Sequence, residues 1–190
     1  MYLVNDIIAF LAANLILSQA LGTSTLFVAA DSKRKLVGTA CCITIFTTCG
    51  SIGAFVIKKV LPSEYSDLTL LLYILMIGVL YVGLLTAAFF INRDRFENIT
   101  KYIHLSAFNC AVIGTLFTMD QKAANDPTLF TMKEYVRFGF KAGIGFITAA
   151  LILTAAFRKL NSSKVPSSFR GGPAILIYLG IISMAIYSLK

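Results

Sequence analysis

Residues 104–114 read His-Leu-Ser-Ala-Phe-Asn-Cys-Ala-Val-Ile-Gly, and within an apolar run they carry an amide and a thiol at adjacent positions and a glycine one turn later. An asparagine at bilayer depth is costly unless it is paired, so Asn109 is a functional candidate. Cys110 is a candidate soft ligand for iron. The same residues also suit a structural role, in which Asn109 joins helices through hydrogen bonds and Cys110 fills space as a small apolar side chain. The pattern alone favours neither interpretation.

The composition around this stretch is that of an integral membrane protein. Hydrophobic residues make up 57% of the chain, charged residues 14%, and the mean hydropathy is +0.80, whereas soluble domains carry about 25% charged residues. We therefore predict one transmembrane domain over residues 1–190, surrounded by the lipid bilayer. The net charge of +8 does not indicate nucleic-acid binding, because the basic residues lie between apolar runs, where they orient helices in the membrane.

Six apolar segments follow along the chain, each a candidate crossing of about 20 residues. They are residues 2–30 with an interruption at Gly22-Thr23-Ser24-Thr25, Leu36–Ile57, Leu68–Ile91, Tyr102–Met119, Phe138–Phe157 and Pro173–Leu189. The apolar part of the fourth segment, Leu105–Met119, is too short for a full crossing at about 1.5 Å per residue. We expect the first segment to be retained as a helix, because it lacks the features of a cleaved signal peptide.

Three segments precede the polar joint at Asn92–Lys101 and three follow it, so a second copy of the first half would lie inverted in the membrane. The short or interrupted segment comes first in each half, and Asn14 and Asn109 are separated by half of the 190 residues. We predict an all-α integral membrane protein with six transmembrane helices. They form two inverted three-helix repeats, about 1–95 and 96–190, and the first helix of each repeat is short or broken.

Small residues predict where the helices approach one another. Gly139 and Gly143 form a G-x-x-x-G ridge, and the second segment is rich in the Thr, Ser and Gly residues that suit close packing. Cys42 and Cys49, seven residues apart on that segment, are interpreted as packing residues, because free cysteine commonly behaves as a small hydrophobe.

The chain is poor in reactive groups. The sequence has no acid–base pair in mid-segment and no phosphate-binding glycine loop, and its aspartates, among them Asp120, lie towards segment ends, where we expect them to be solvated. His104, the one histidine, is interpreted as an interfacial residue. The sequence therefore predicts a component of a larger assembly and not a self-sufficient enzyme. An iron–sulfur cluster at Cys110 would need further thiolates from elsewhere, because such clusters usually take four.

Orientation follows from the basic residues near the segment ends. The first, third and fifth loops together carry more Lys and Arg than the other side does. These loops are therefore predicted to be cytoplasmic, with both termini on the outer side of the membrane.

Several short motifs resemble a known family. They are Asn-Cys-Ala-Val-Ile-Gly at 109–114, Val-Pro-Ser-Ser-Phe-Arg-Gly at 165–171, Asn14 with the Leu-Gly at 21–22, and Ser32-Lys33. Over essentially its whole length the chain resembles the family of the Rnf A and E subunits and the Nqr D and E subunits. Its Phe-Arg-Gly element is most similar to the Rnf A type.

The resemblance implies a six-helix subunit paired with a homologous Rnf E-type subunit of opposite orientation, within a complex that also contains the Rnf C, D, G and B subunits. The pair is expected to share an intramembrane [2Fe–2S] cluster, each subunit giving one Cys from each half. The complex would transfer electrons between ferredoxin and NAD and couple this to Na⁺ or H⁺ translocation. It would lie in the cytoplasmic membrane of a bacterium or archaeon, and this subunit would not be catalytic alone.

The expected ligands are only partly present. Cys110 matches the second-half Cys of the family, whereas Ser24 stands where the first-half Gly-x-Cys-Pro pattern has its Cys, and the Pro is absent. A serine oxygen is a harder ligand than a thiolate and suits iron–sulfur chemistry less well. Three alternatives stay open: an unusual ligand at Ser24, recruitment of another thiol such as Cys41 or Cys42, or loss of the cluster. Asn109 and Asn14 would lie beside the cluster without binding iron.

The main functional hypothesis is thus a membrane electron-transfer subunit of an Rnf-type complex. A small inverted-repeat secondary carrier is the first alternative, because broken helices at the bilayer midplane can form a solute or ion site without metal. A scaffold subunit that has lost its cluster is the second, and the serine in the expected Cys position favours it.

Overall fold

The computed structural model describes residues 21–23, 25, 33–61, 68–91, 93, 96–126, 128, 130–160, 162 and 166–188. Within these ranges the secondary structure is helical. The α-helices are α1 Lys33–Val60, α2 Thr69–Ile91, α3 Phe96–Ala107, α4 Cys110–Asn125, α5 Met132–Leu160 and α6 Gly172–Ser188, and a 3-10 turn at Ser167–Phe169 precedes α6.

The predicted second, third, fifth and sixth segments are confirmed as α1, α2, α5 and α6. Three of these, α1, α2 and α5, are long and apolar enough to cross a membrane, and α6 is a shorter apolar helix. The first predicted segment lies outside the described residues except at 21–23 and 25. The all-α class is thereby confirmed, whereas the inverted relation of 1–95 to 96–190 stays a prediction.

The fourth predicted segment is a bent pair, α3 and α4, whose axes differ by 44°. The break lies at Phe108 and Asn109, and Asn109 has extended backbone, with φ −82° and ψ 135°. The expectation of a short or broken first helix is confirmed for the second half. The pair is longer than predicted, because α3 takes up part of the joint at Asn92–Lys101 and α4 continues through Asp120 to Asn125.

The G-x-x-x-G ridge is confirmed at the crossing of α1 and α5, where the two helices pack most extensively. A Cβ atom at Gly143 would lie 2.8 Å from the Thr44 Cα, and one at Gly139 would lie 2.5 Å from the Thr47 carbonyl oxygen. Both contacts are with backbone, which cannot move aside as a side chain can. Ser51 also meets Gly139 and donates its hydroxyl to the Thr47 carbonyl at 2.7 Å.

The core forms around α1, and the outer helices turn apolar faces outward. On α2 only Thr69, Tyr73 and Ile77, which are spaced four residues apart along one face, are buried. The other faces of α2 and α6 expose large apolar side chains such as Val79, Phe90, Leu176 and Met184. An apolar exterior of this extent suits hydrocarbon and not water. Cys42 is half-buried and packs against the core, as its interpretation as a packing residue requires.

Candidate functional site

The start of α4 is shaped by Asn109, which is buried with 4% of its surface exposed. Its side-chain oxygen accepts a hydrogen bond from the Ala111 N–H at 2.9 Å and so caps the helix, satisfying one of the N–H groups that a helix N-terminus leaves unpaired. The Asn109 side-chain nitrogen has no hydrogen-bond partner within the described residues. A buried unpaired donor is costly, which distinguishes Asn109 from a purely structural cap.

The first half of the chain reaches this break through a turn at Leu21 and Gly22. The Gly22 N–H donates a hydrogen bond to the Cys110 sulfur at 2.9 Å. Gly22 has φ +82°, and a Cβ atom there would lie 2.9 Å from the Ala111 Cβ and 3.2 Å from the Asn109 side-chain oxygen. Both the left-handed backbone and the lack of space therefore require glycine. The interrupted part of the first half thus meets the broken helix of the second.

Cys110 is the first residue of α4, and its side chain is exposed in the single chain. It is therefore available to a group lying outside this chain. The N-terminal end of α4 carries partial positive charge, which favours a negatively charged ligand. The hydrogen bond from Gly22 to the sulfur is the kind of contact that adjusts the potential of an iron–sulfur centre.

The described residues could supply one ligand of a metal cluster but not a complete ligand set. No cluster of three or more His, Cys, Asp or Glu side chains able to hold a metal occurs in the described part of the chain. Cys41 is exposed and Cys42 half-buried, both on α1. Ser24 and Asn14 lie outside the described residues, so their predicted roles stay predictions. Cys110 therefore fits a [2Fe–2S] cluster only if other ligands come from beyond the described residues.

Beside the break, His104 forms a polar pair with Tyr81, whose hydroxyl lies 2.5 Å from the His104 Nδ1. Tyr81 lies near the middle of the 23-residue α2, so the interpretation of His104 as an interfacial residue is wrong. The packing of α3 along α2 places the end of α3 beside the middle of α2. Phe108, two residues before Cys110, packs on the Tyr81 ring with centroids 5.9 Å apart. The polar pair thus contacts the residue that lies two positions before the exposed thiol.

Comparison with known proteins identifies the family. Residues 3–190 match the family described as Rnf-Nqr subunit, membrane protein. The chain belongs to the Rnf-Nqr family. It is 25% identical over 187 residues to the A-type subunit of the ion-translocating oxidoreductase complex of Shewanella sediminis, covering 97% of this chain and 94% of the relative. The A-type subunit of the same complex from Shewanella pealeana is 26% identical over 189 residues, with the same shares covered.

An Nqr relative matches over a shorter stretch. The E-type subunit of the Na(+)-translocating NADH-quinone reductase of Rhodopirellula baltica is 30% identical over 125 residues, which cover 64% of this chain and 56% of that protein. The resemblance predicted from the motifs is therefore confirmed at the level of the Rnf-Nqr family. Together with its long apolar helices, this membership makes the chain a multi-pass membrane protein.

A second polar group in this Rnf-Nqr protein, the Asp120 cluster, was missed in the sequence. It comprises Asp120, Tyr73, Tyr135 and Lys58. Tyr73 and Tyr135 both donate hydroxyl hydrogen bonds to the Asp120 carboxylate, that from Tyr135 at 3.0 Å, and the Lys58 Nζ lies 3.7 Å from the same carboxylate. The Asp120 side chain is only 9% exposed, so the expectation that it is solvated is wrong.

Helical spacing is the signal that could have found Asp120. The buried face of α4 carries Val112, Leu116, Met119 and Ala123, and Asp120 is four residues beyond Leu116. Extending that apolar stripe past Met119 puts the carboxylate on the buried side. Its partners come from α1, α2 and α5, near the ends of those helices, and no local pattern predicts that they meet.

Proposed function

We propose that this chain is a membrane electron-transfer subunit of an Rnf-type ion-translocating oxidoreductase. In this role Cys110 supplies one thiolate to a [2Fe–2S] cluster shared with a homologous subunit. The complex would couple electron transfer between ferredoxin and NAD to movement of Na⁺ or H⁺, and this subunit would not be catalytic alone. The observation that carries the proposal is the exposed Cys110 sulfur, hydrogen-bonded by the Gly22 N–H where the two halves of the chain meet.

Each residue at the break has a defined part in this proposal. Cys110 would bind an iron atom, the Gly22 N–H would keep its hydrogen bond to the ligating sulfur, and Asn109 caps the first turn of α4, from which the thiolate would face outward. The bound cluster supplies one-electron transfer. Burial and hydrogen bonds to its sulfurs are the levers by which the protein sets its potential. The remaining ligands come from the partner and from the stretch around Ser24.

The surface carrying Tyr81, His104, Phe108 and Cys110 is the proposed face for the homologous Rnf E-type subunit. His104 and Phe108 are exposed in the single chain, and the polar pair lies near the middle of α2. Polar side chains at that depth usually face other protein or a water-filled cavity and not lipid. A partner of opposite orientation, packed on this face, would cover the polar pair and reach the thiol.

The proposal extends to the arrangement of the two halves and of the complex. The central helices α1 and α5 have similar lengths, 28 and 29 residues, and pack on one another, which supports the two inverted repeats. The C, D, G and B subunits would complete the assembly in the cytoplasmic membrane of a bacterium or archaeon. Both termini would lie outside, so that the Asp120 cluster would be at the outer end of the bundle.

The test is the iron content of the intact complex. We expect Cys110→Ala to assemble but to lose two iron atoms and two acid-labile sulfides per complex, together with one [2Fe–2S] electron paramagnetic resonance signal and ferredoxin:NAD activity. Cys49→Ala, which removes a half-buried thiol, is the matched control and should keep all three. Full iron and sulfide content in an active Cys110→Ala complex would refute the cluster role and leave a scaffold function as the better account.

A further inference from the structure

A cleft of about 310 Å³ opens between α1 and α3, and Cys110 is not part of its lining. Its lining runs from the first turn of each helix inward and comprises Lys35, Thr39, Asn98, Lys101, Tyr102 and Leu105. The Ser106 hydroxyl donates to the Thr39 carbonyl at 3.3 Å, so the two helices run side by side from this end. Lys35 and Asn98, each in the first turn of its helix, both line the cleft, so the two N-termini, with their partial positive charge, lie at the same end of it.

The polar groups of the cleft are those that bind a phosphate. Lys35 and Lys101 bring two ammonium groups from two different helices, and Asn98 and Tyr102 add hydrogen-bond donors. Helix N-termini with adjacent cations are common anion sites. The acidic residue nearest in sequence, Glu97, is not part of the lining. The electrostatic preference of the cleft is thus for an anion.

Thr39 supplies an independent indication that a ligand belongs here. Its side chain is fully buried, it lines the cleft, and its hydroxyl has no hydrogen-bond partner in the part of the chain that is described. Leaving a buried hydroxyl unpaired costs stability. An acceptor oxygen entering the cleft would pair with it. The same site therefore offers cations at its mouth and an unsatisfied donor at its base.

The walls of the cleft suit an amphiphile better than a free ion. Leu105 and the ring of Tyr102 form an apolar side, and the ring packs so closely on α1 that a Cβ at Gly38 would lie 2.9 Å from it. Lys35 begins the stretch of α1 that is long and apolar enough to cross a membrane, so we expect the mouth of the cleft at the level of lipid headgroups.

We propose that this cleft is a binding site for the phosphate of an anionic phospholipid headgroup, of the phosphatidylglycerol or cardiolipin class. Lys35 and Lys101 pair with the phosphate, the Thr39 hydroxyl donates to one of its oxygens, and the acyl chains leave along the apolar side. The site involves neither Cys110 nor its proposed partner face, so it holds whether or not the proposed function does.

The proposal is tested by native mass spectrometry of the detergent-solubilised full chain titrated with phosphatidylglycerol or phosphatidylcholine. We expect phosphatidylglycerol to bind preferentially, and Lys35→Gln with Lys101→Gln to weaken it about fivefold for each lysine removed. Thr39→Val keeps the side-chain volume and should weaken binding as well. It should not lower the melting temperature of the lipid-free chain, because the hydroxyl lost there is unpaired.

Lys59→Gln with Lys133→Gln is the matched control, because it removes the same charge from exposed positions at the opposite end of the bundle. Its phosphatidylglycerol affinity should equal that of the unmodified chain. An equal loss in this control, equal binding of phosphatidylcholine, or unchanged binding in both the lysine pair and Thr39→Val would overturn the proposal. Displacement of the lipid by millimolar inorganic phosphate would also overturn it, in favour of a free-anion site.

Discussion

The broken helix at Asn109 and the Asp120 cluster both bring polar groups into an apolar bundle, but they differ in how completely those groups are paired. In the Asp120 cluster, the carboxylate accepts hydrogen bonds from two tyrosine hydroxyls and pairs with Lys58, and both tyrosines are buried. At the break, the Asn109 side-chain nitrogen is unpaired within the described residues and Cys110 is exposed.

This difference separates a structural role from a functional one. A polar network whose members are all paired stabilises and specifies a fold. At the break, the unpaired nitrogen adds nothing to the stability of the single chain, and the sulfur is exposed. Such groups are typical of surfaces that are completed by a ligand or partner. We therefore expect substitutions in the Asp120 cluster to act on stability, and substitutions at the break to act mainly on assembly and cluster content.

The largest effect is expected for Asp120→Ala. It leaves two tyrosine hydroxyls and Lys58 without their shared partner, so the free energy of unfolding should fall by about 3 kcal/mol. Chemical denaturation of the full chain in detergent measures this. Glu134→Gln, which removes an exposed pair with Arg137, should change it by less than about 1 kcal/mol. Equal effects of the two substitutions would remove the distinction between a closed cluster and an exposed pair.

Gly22→Ala should act on both stability and the site. Alanine at a positive φ costs about 1 kcal/mol, and the crowding by Ala111 and Asn109 adds about 1 kcal/mol. Gly171 is the matched control, since it has φ +83° but no atom within 4 Å of an added Cβ. Gly171→Ala should therefore show the backbone cost alone and keep the iron content of the complex. If Gly22→Ala showed the same stability cost and the same iron content as Gly171→Ala, the close contact of Gly22 with Ala111 and Asn109 would have no role in the site.

The smallest effect is expected at the helix cap. Asn109→Ala should lower the free energy of unfolding by about 1 kcal/mol, because it removes the acceptor for the Ala111 N–H. Asn109→Ser keeps a capping oxygen and removes the unpaired nitrogen, so its stability should stay within about 0.5 kcal/mol. A loss of iron from the assembled Asn109→Ser complex, at unchanged stability, would indicate that this nitrogen serves the site directly.

Much of the fold was predictable because it depends on local properties. Apolar length determines α1, α2, α5 and α6, and the spacing of Gly139 and Gly143 indicates a close helix crossing, although not which helix lies opposite. The candidate role of Cys110 as an iron ligand, which stays a prediction, follows from its residue type, from its position beside Asn109 and from the family resemblance. Its hydrogen bond from Gly22 was not predicted, because the two residues are 88 positions apart.

The polar groups of the helix ends were misread for the same reason. Asp120 and its partner Tyr73 are 47 positions apart, and each by itself is typical of a membrane interface. His104 was also judged from its neighbours in sequence, whereas the packing of α3 along α2 places it beside the middle of α2.

The sequence by itself determined that this is an all-helical membrane protein of the Rnf-Nqr type with a broken helix near Asn109 and Cys110. Hydropathy, helix length and short motifs are properties of neighbouring residues, so they can be determined without knowing how the helices pack. Only the tertiary structure decided which polar groups are paired and which stay open, because hydrogen bonds and burial depend on residues from different helices. That distinction, between the closed Asp120 cluster and the open site at Cys110, is the basis on which we expect the first group to act on stability and propose a functional role for the second.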